Sequence, residues 1–426
     1  MSRETDPAGT GRQDRRKIGL AAMGRESGSA AARAWAVGAA GWVAAVVFVG
    51  CGSGRNTADL VPADDGAYHV YPGQEIQEAL DAAAADAEHK WVVVHPGVYA
   101  PSKRSAALIR LVARHDGIVL EAKGETILTA TNGDLADPSR AGNGALVAHV
   151  VYFGDGISRR TVLRGFRITG ADGYQSNAEE ARRLEPRLGQ PGLEDGMFLH
   201  TDGGGIKVFG RSSPTIQNVE LYDNAAALCG GAISIEQRGL ATEDVLLQDC
   251  IFRANRCPGT GSAVDVLQGS SAIIENCLFV GNIGNTGMDD VAHDYGLVYN
   301  PEHGCGALTV FPGSRVSVRR CTFTGNWNGA DDQGTHSVYA DTIFWMNDAG
   351  DGSRPGGPYE LDVTHRAEVR NCFLGGAIDD LRGAVNRQNN VLGAPDPEFD
   401  EQFRPQAAVY GNVGYRPPDG RQTAEP

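Results

Sequence analysis

The sequence predicts an all-β solenoid, a single chain wound into stacked coils, and three observations carry that expectation. First, a short phrase recurs. Cys250–Asn255 reads Cys-Ile-Phe-Arg-Ala-Asn, Cys277–Asn282 reads Cys-Leu-Phe-Val-Gly-Asn, and Cys321–Asn326 reads Cys-Thr-Phe-Thr-Gly-Asn. Looser copies stand at Val219–Asn224, Thr342–Asn347 and Cys372–Ala377, and Phe166–Ala171 opens the series. From Val219 onward the copies start 21 to 44 residues apart. Fixed phrases at such periods mark supersecondary units that stack into one body. Second, the apolar positions inside each copy lie two residues apart, which is strand spacing. Third, 57 glycines and a recurring Asn suit a chain with many tight corners.

Three apolar columns run through the copies. One is Leu163, Ile216, Leu247, Ile274, Val318 and Val369. The next is Phe166, Val219, Cys250, Cys277, Cys321 and Cys372, and the third is Ile168, Leu221, Phe252, Phe279, Phe323, Phe344 and Leu374. No helical period runs through these segments. Each unit is too short to bury its own apolar face, so neighbours must share a core.

A second phrase follows the first: Gly205-Ile-Lys-Val208, Gly231-Ala-Ile-Ser-Ile235, Ser262-Ala-Val-Asp-Val266 and Gly306-Ala-Leu-Thr-Val310. Its apolar residues alternate with Lys207, Ser234, Asp265 and Thr309, which are expected to point outward. Two or three short strands per coil, closed by Gly and Asn corners, describe a parallel β-helix. Asn224, Asn255, Asn282, Asn326 and Asn347 fall at one corner. Asn tolerates left-handed backbone and its amide reaches the next rung, so its role there is structural.

Gly230-Gly-Ala-Ile233, with Phe252-Arg-Ala-Asn255, Phe279-Val-Gly-Asn282, Phe323-Thr-Gly-Asn326 and Phe344-Trp-Met-Asn347, resembles the repeats of polymorphic outer-membrane proteins. More broadly, the stretch from Tyr68 to Phe399 is similar to the right-handed parallel β-helix, or pectin-lyase-like, superfamily. The resemblance implies a single-stranded right-handed coil. It does not choose an activity, because that fold hosts lyases, hydrolases and non-catalytic adhesins. No run of alternating barrel strands follows Phe399, as the outer-membrane proteins would require.

In chain order, residues 1–50 read as a secretory signal. Arg15-Arg16-Lys17 supplies basic charge, Ala34 to Gly50 carries no charge, and Cys51 follows. Phe48-Val-Gly-Cys51 resembles a bacterial lipobox, with Phe48 where Leu is usual, and that resemblance makes Cys51 the lipid attachment point. A single membrane anchor is the alternative. Both place the body outside the inner membrane, at the bacterial cell envelope. Residues 51–66 read as a linker, 67–399 as the β-helix domain, and 400–426 as a polar tail. Ile76, Leu80 and Ala83 share one helical face, so 74–86 is expected to form a short capping helix over the open end. Trp91–Ala100 then gives the first buried strand and turn.

The formal net charge of −15 argues against nucleic acid or anionic lipid as a partner. Of eight cysteines, four lie in the inward column, where Cys behaves as a small apolar residue. In an oxidising envelope a Cys229–Cys257 bridge between adjacent coils is an option. No Cys-x-x-Cys or paired-His spacing points to zinc.

Chemistry on such a scaffold usually sits where insertions rise from it. The longest insertions, 172–202 and 283–304, leave the same corner, and the two coils between them carry almost nothing there. The expected floor of that saddle holds Lys207, Ser234, Glu236 and Asp265. Lys207, Glu236 and Asp265 are the catalytic candidates: a carboxylate pair for acid–base work and a lysine base for uronate β-elimination. The same residues also read as ordinary solvent-facing members of a strand ladder. Asp289, Asp290 and Asp294 form an acidic loop that is the candidate metal site, with calcium the cation that the resemblance to calcium-dependent lyases implies. His200 with Asp202 is a further pair, and Asp331-Asp332 reads as loop surface. The Asn-x-Asp, Asp-Asp and Gly-His-Gly set of polygalacturonases is not found.

The function expected is that of an exported, envelope-tethered monomer that engages polysaccharide or a cell-surface glycan and cleaves it, if at all, as a lyase. The alternative is a non-catalytic surface, adhesion or structural envelope protein.

Overall fold

A computed structural model describes residues 60–135, 144–287, 293, 296, 306–349, 357–377 and 379–418. All described residues belong to one compact unit, Arg55–Pro426. Cys51 and Cys305, and Asp289, Asp290 and Asp294, lie outside the described residues.

Three parallel ladders wind into a β-helix. A typical coil runs from Ile206–Phe209 to Thr215–Gln217 to Glu220–Tyr222, then turns and enters the next coil at Ile233–Glu236. Each strand pairs in parallel with its counterpart one coil on, as Ile206 with Ile233, Ile216 with Leu247, and Leu221 with Phe252. Among the described residues the third ladder holds ten strands, from Gly97–Tyr99 to Val391–Leu392. At the C-terminal end, Tyr359–Arg370 and Asp379–Gln388 are long strands that serve the first and second ladders together.

The helix expected over 74–86 forms over Ile76–Ala85 and buries Ile76, Ala79, Leu80 and Ala83 against the first coils. It covers the open end of the core, as stacked repeats require.

The columns read from the sequence are columns in space. Phe252, Phe279, Phe323 and Phe344 stack with ring centroids 4.6, 4.2 and 4.7 Å apart. That offset pile packs the interior at the rung spacing of a β-sheet. The first column also holds, with Tyr339 occupying the coil between Val318 and Val369. The cysteines do more than fill space. The amide of Cys250 donates to Cys277 Sγ and that of Cys277 to Cys321 Sγ, both at 3.4 Å. Thr342 Oγ1 takes the same place for the Cys321 amide.

The asparagine corner differs in one detail from expectation. Left-handed backbone belongs to the residue before each Asn: Asp223 (φ 50°), Ala254 (54°), Gly281 (65°), Gly325 (62°) and Met346 (54°). The Asn itself supplies the cross-rung bonds. Asn255 Nδ2 donates to Asn282 Oδ1 at 3.0 Å and Asn282 Nδ2 to Asn326 Oδ1 at 2.9 Å. The row ends at Glu360, whose carboxylate accepts from the Asn347 amide at 3.3 Å and from its side chain.

The segment after Phe399, expected to be a polar tail, folds back along the outside of the third ladder. Tyr410 and Tyr415 are buried. Tyr410 and Val413 pack on Ile343 and Phe373, and Tyr415 packs on Ile251 and Leu278. Arg416 and Asn276 exchange two bonds, the Arg416 amide donating to Asn276 Oδ1 at 2.8 Å and Asn276 Nδ2 to the Arg416 carbonyl at 2.7 Å. The scattered aromatic residues in a charged stretch give little period to read, which is why this docking is not visible in sequence.

Candidate functional site

The outward face of the first ladder carries one continuous polar row. Register places Tyr152 beside Lys207, Lys207 beside Ser234, Ser234 beside Asp265, and Asp265 beside Thr309, Asp331 and Asp362 in turn. The inward neighbours Ile206, Val208, Ile233, Ile235, Val264 and Val266 belong to the main core, so the row points away from it. This much matches expectation. The row is nevertheless not an open floor: Lys207, Ser234 and Asp265 are 0 % exposed and Glu236 is 3 % exposed.

The cover is the 172–202 insertion. Asn177 caps the helix Ala178–Leu184 by accepting from the amides of Glu179 and Glu180, and Glu180 returns a bond to the Asn177 amide. Ala181, Leu184, Leu193 and Leu199 close over Tyr152 and Phe209 in a small second core. Charge pins the edge. Asp155 accepts three bonds from Arg211, from its amide, Nε and Nη2, each at 2.8 Å, and one from Arg187 at 2.6 Å. Burial would raise the Asp155 carboxyl, but the arginine bonds outweigh it and hold the group below the usual range. Glu185 accepts from the Asp155 amide at 2.9 Å and the Tyr152 hydroxyl at 3.2 Å.

The short helix Met197–Thr201 lies over Lys207. Lys207 Nζ donates to the Phe198 carbonyl at 2.9 Å and to Ser234 Oγ at 3.0 Å, and pairs with Glu236 Oε2 at 2.8 Å. Two of the three ammonium protons have acceptors in Phe198 and Ser234, and Glu236 Oε2 stands at ion-pair distance without an aligned hydrogen bond. The other oxygen of Glu236 takes the Arg238 fork at 2.6 and 2.8 Å, and the Arg238 guanidinium lies 4.8 Å over the Phe209 ring. His149 is buried below, with Nδ1 2.9 Å from the Gly203 carbonyl and Nε2 3.2 Å from that of Leu199. Burial pushes its pKa down to about 4, so the ring is neutral at pH 7.

The candidates therefore separate. Lys207 and Glu236 form a sealed ion pair. Register sets Ser234, not Glu236, opposite Asp265. Asp265 instead meets Asp202 and Cys229, whose ligand-capable atoms all lie within 4.8 Å of one another. Burial pushes Asp202 up to about 7, and burial with the Asp202 charge pushes Asp265 well above its ordinary range. His200 pairs with Asp195 at 2.7 Å rather than with Asp202. Asp331 and Asp332 belong to the buried strand Ala330–Asp332 rather than to loop surface, and Asp332 accepts from the Tyr339 hydroxyl at 2.9 Å. None of the six described cysteines is in a disulfide, so the Cys229–Cys257 bridge is not formed.

Sequence reading did not find the open cleft. It lies between the capping helix, the strand Ser105–Leu111 and the helix Ala178–Leu184, and encloses about 570 Å³. Lys103, Arg104, Arg110 and Arg183 line it, together with Glu75, Glu78 and Glu180. Among the described residues neither Lys103 nor Arg104 is in an ion pair, and Arg104 sits 5.8 Å over the Tyr174 ring. The Lys103-Arg104 pair was the available signal in a chain that is acidic overall.

A family model described as the right handed beta helix region matches residues 189–299. The parallel coils continue the same wind on both sides of that match. The described residues fold as an all-β parallel β-helix, and the matched stretch is of the right-handed kind. No curated protein matches it.

Proposed function

We propose that this β-helix binds acidic polysaccharide without cleaving it. The observation that carries the reading is the cleft beside the capping helix, with four cationic side chains in a protein of net charge −15. Arginine and lysine at the rim of a concave site attract and orient carboxylates. The glutamates at the same walls supply acceptors for sugar hydroxyls. Lysis is left out because Lys207, Glu236 and Asp265 are shut from solvent, and a base must come within hydrogen-bond reach of the proton it takes. The test is retention of the protein on immobilised polyuronates and neutral glucans over a salt gradient. Retention on the acidic polymers alone, lost as salt rises, supports the reading. Equal behaviour on neutral glucan overturns it.

We further propose that the body is exported and held at the bacterial envelope through Cys51. The support is the uncharged run Ala34–Gly50 that ends at Cys51. Among the described residues no helix is long and apolar enough to cross a membrane. Palmitate labelling of the full chain, lost in Cys51→Ser, is the expected result. Labelling that persists in Cys51→Ser contradicts it.

A further inference from the structure

Asp202, Asp265 and Cys229 form a buried group around one orphaned carboxylate oxygen. Asp202 is 1 % exposed and Asp265 is 0 % exposed. Asp202 Oδ1 accepts from Thr201 Oγ1 at 2.8 Å and from the Cys229 amide at 3.2 Å. Its Oδ2 is buried and has no hydrogen-bond partner among the described residues. Thr260 has one hydroxyl proton, and Cys229 Sγ at 3.1 Å competes for it with both Asp265 oxygens at 3.3 and 3.4 Å. Among the described residues Lys207 donates to the Phe198 carbonyl and Ser234 Oγ and pairs with Glu236, and it makes no hydrogen bond to Asp202 or Asp265.

Two carboxylates and a thiol within 4.8 Å of one another, with one oxygen orphaned, match the donor set of a metal ion. We propose that Asp202, Cys229 and Asp265 bind one zinc ion, the orphaned Asp202 Oδ2 being one of its ligand atoms. The mixed set decides the metal. Calcium and magnesium take oxygen ligands alone, whereas zinc accepts carboxylate and thiolate together. Binding releases the Cys229 thiol proton, together with any proton held on Asp202 or Asp265, to solvent and forms the Cys229 sulfur–zinc bond. Asp202 follows the helix Met197–Thr201, Cys229 precedes the strand Ile233–Glu236, and Asp265 lies in the strand Val264–Val266. The ion thus ties the covering insertion to two successive coils, and its sealed position means that it enters as the insertion closes. This site is separate from the cationic cleft and independent of glycan binding.

The test uses the full chain, produced once with zinc in the medium and once with cobalt(II) in its place. Plasma mass spectrometry should find about one zinc per chain, as the single ion proposed requires. The cobalt protein should show the intense near-ultraviolet charge-transfer band of a cobalt–thiolate bond. Cys229→Ser should abolish that band, and Asp265→Asn should reduce the metal content. Folded wild-type protein that carries no zinc overturns the proposal, and so does bound cobalt with no thiolate band. The wild-type spectrum decides the matter even where a variant does not fold.

Discussion

Lys207 Nζ lies 2.8 Å from Glu236 Oε2, and both groups are closed off from water by the insertion that ends in Met197–Thr201. The pair holds a cover on a coil. It is positioned to seal the flank of the β-helix, where an elimination base would have to meet substrate.

A structural role makes Lys207→Met a stability variant. Removing one partner of a buried pair costs about 3–5 kcal/mol when the other is stranded. Glu236 keeps the Arg238 fork, so the expected loss is at the low end, about 3 kcal/mol, in denaturant unfolding. Affinity for polyuronate should be unchanged at a temperature where the variant is folded.

The asparagine row predicts a loss of similar size for Asn282→Ala. Asn282 Oδ1 accepts from the amide and side chain of Asn255, and its Nδ2 serves Phe252 O and Asn326 Oδ1. Leaving those buried groups unpaired should cost about 3 kcal/mol. An unchanged unfolding midpoint would mean that the row is not needed for stacking.

Gly281 isolates the backbone term at the same corner. Its φ is +65°, and a Cβ there would meet nothing within 4 Å. Gly281→Ala should therefore cost only the left-handed penalty, about 1 kcal/mol. Ala254, at the same phase with φ 54°, already carries that strain, so Ala254→Gly should shift the unfolding midpoint the other way.

Glu360 gives the acid–base prediction. Burial lifts its carboxyl to about 8 against the bonds from Asn347 and Ala377 that favour the anion. The folded state then holds a proton that the unfolded state has lost above its ordinary value of 4.5. That contribution to stability is complete below 4.5 and is lost as pH rises toward about 8. Melting temperature should fall across that window in the wild type, and Glu360→Gln should flatten the fall by an amount on the order of a few kcal/mol. An identical pH profile in the variant would contradict the assignment.

The interior of this molecule was legible because its residues repeat in phase. Phe252, Phe279 and Phe323 occupy the same place in successive phrases, and a period in sequence becomes a pile in space. The direction of Lys207, Ser234 and Asp265 was legible for the same reason, through the alternation of a strand. Their burial was not. Exposure of an outward side chain depends on what lies over it, and the cover here comes from Leu184, Leu193 and Leu199 in a stretch without repeat. The cluster of Asp202 with Cys229 and Asp265 escaped notice because its members sit far apart in sequence and show no ligand spacing. The cleft was missed for a related reason: Lys103 and Arg104 meet Arg183 only after the insertion folds back over Ser105–Leu111.

The most direct measurement is a calorimetric titration of an oligouronate into wild-type protein and into the Lys103→Glu/Arg104→Glu variant, with absorbance by unsaturated ends followed in the same cells. The expected result is binding by the wild type, an affinity about tenfold or more lower in the variant from the reversed rim charges, and no rise in absorbance. Equal affinities in the two proteins, or a steady accumulation of unsaturated product, would contradict a cationic cleft that holds acidic glycan intact.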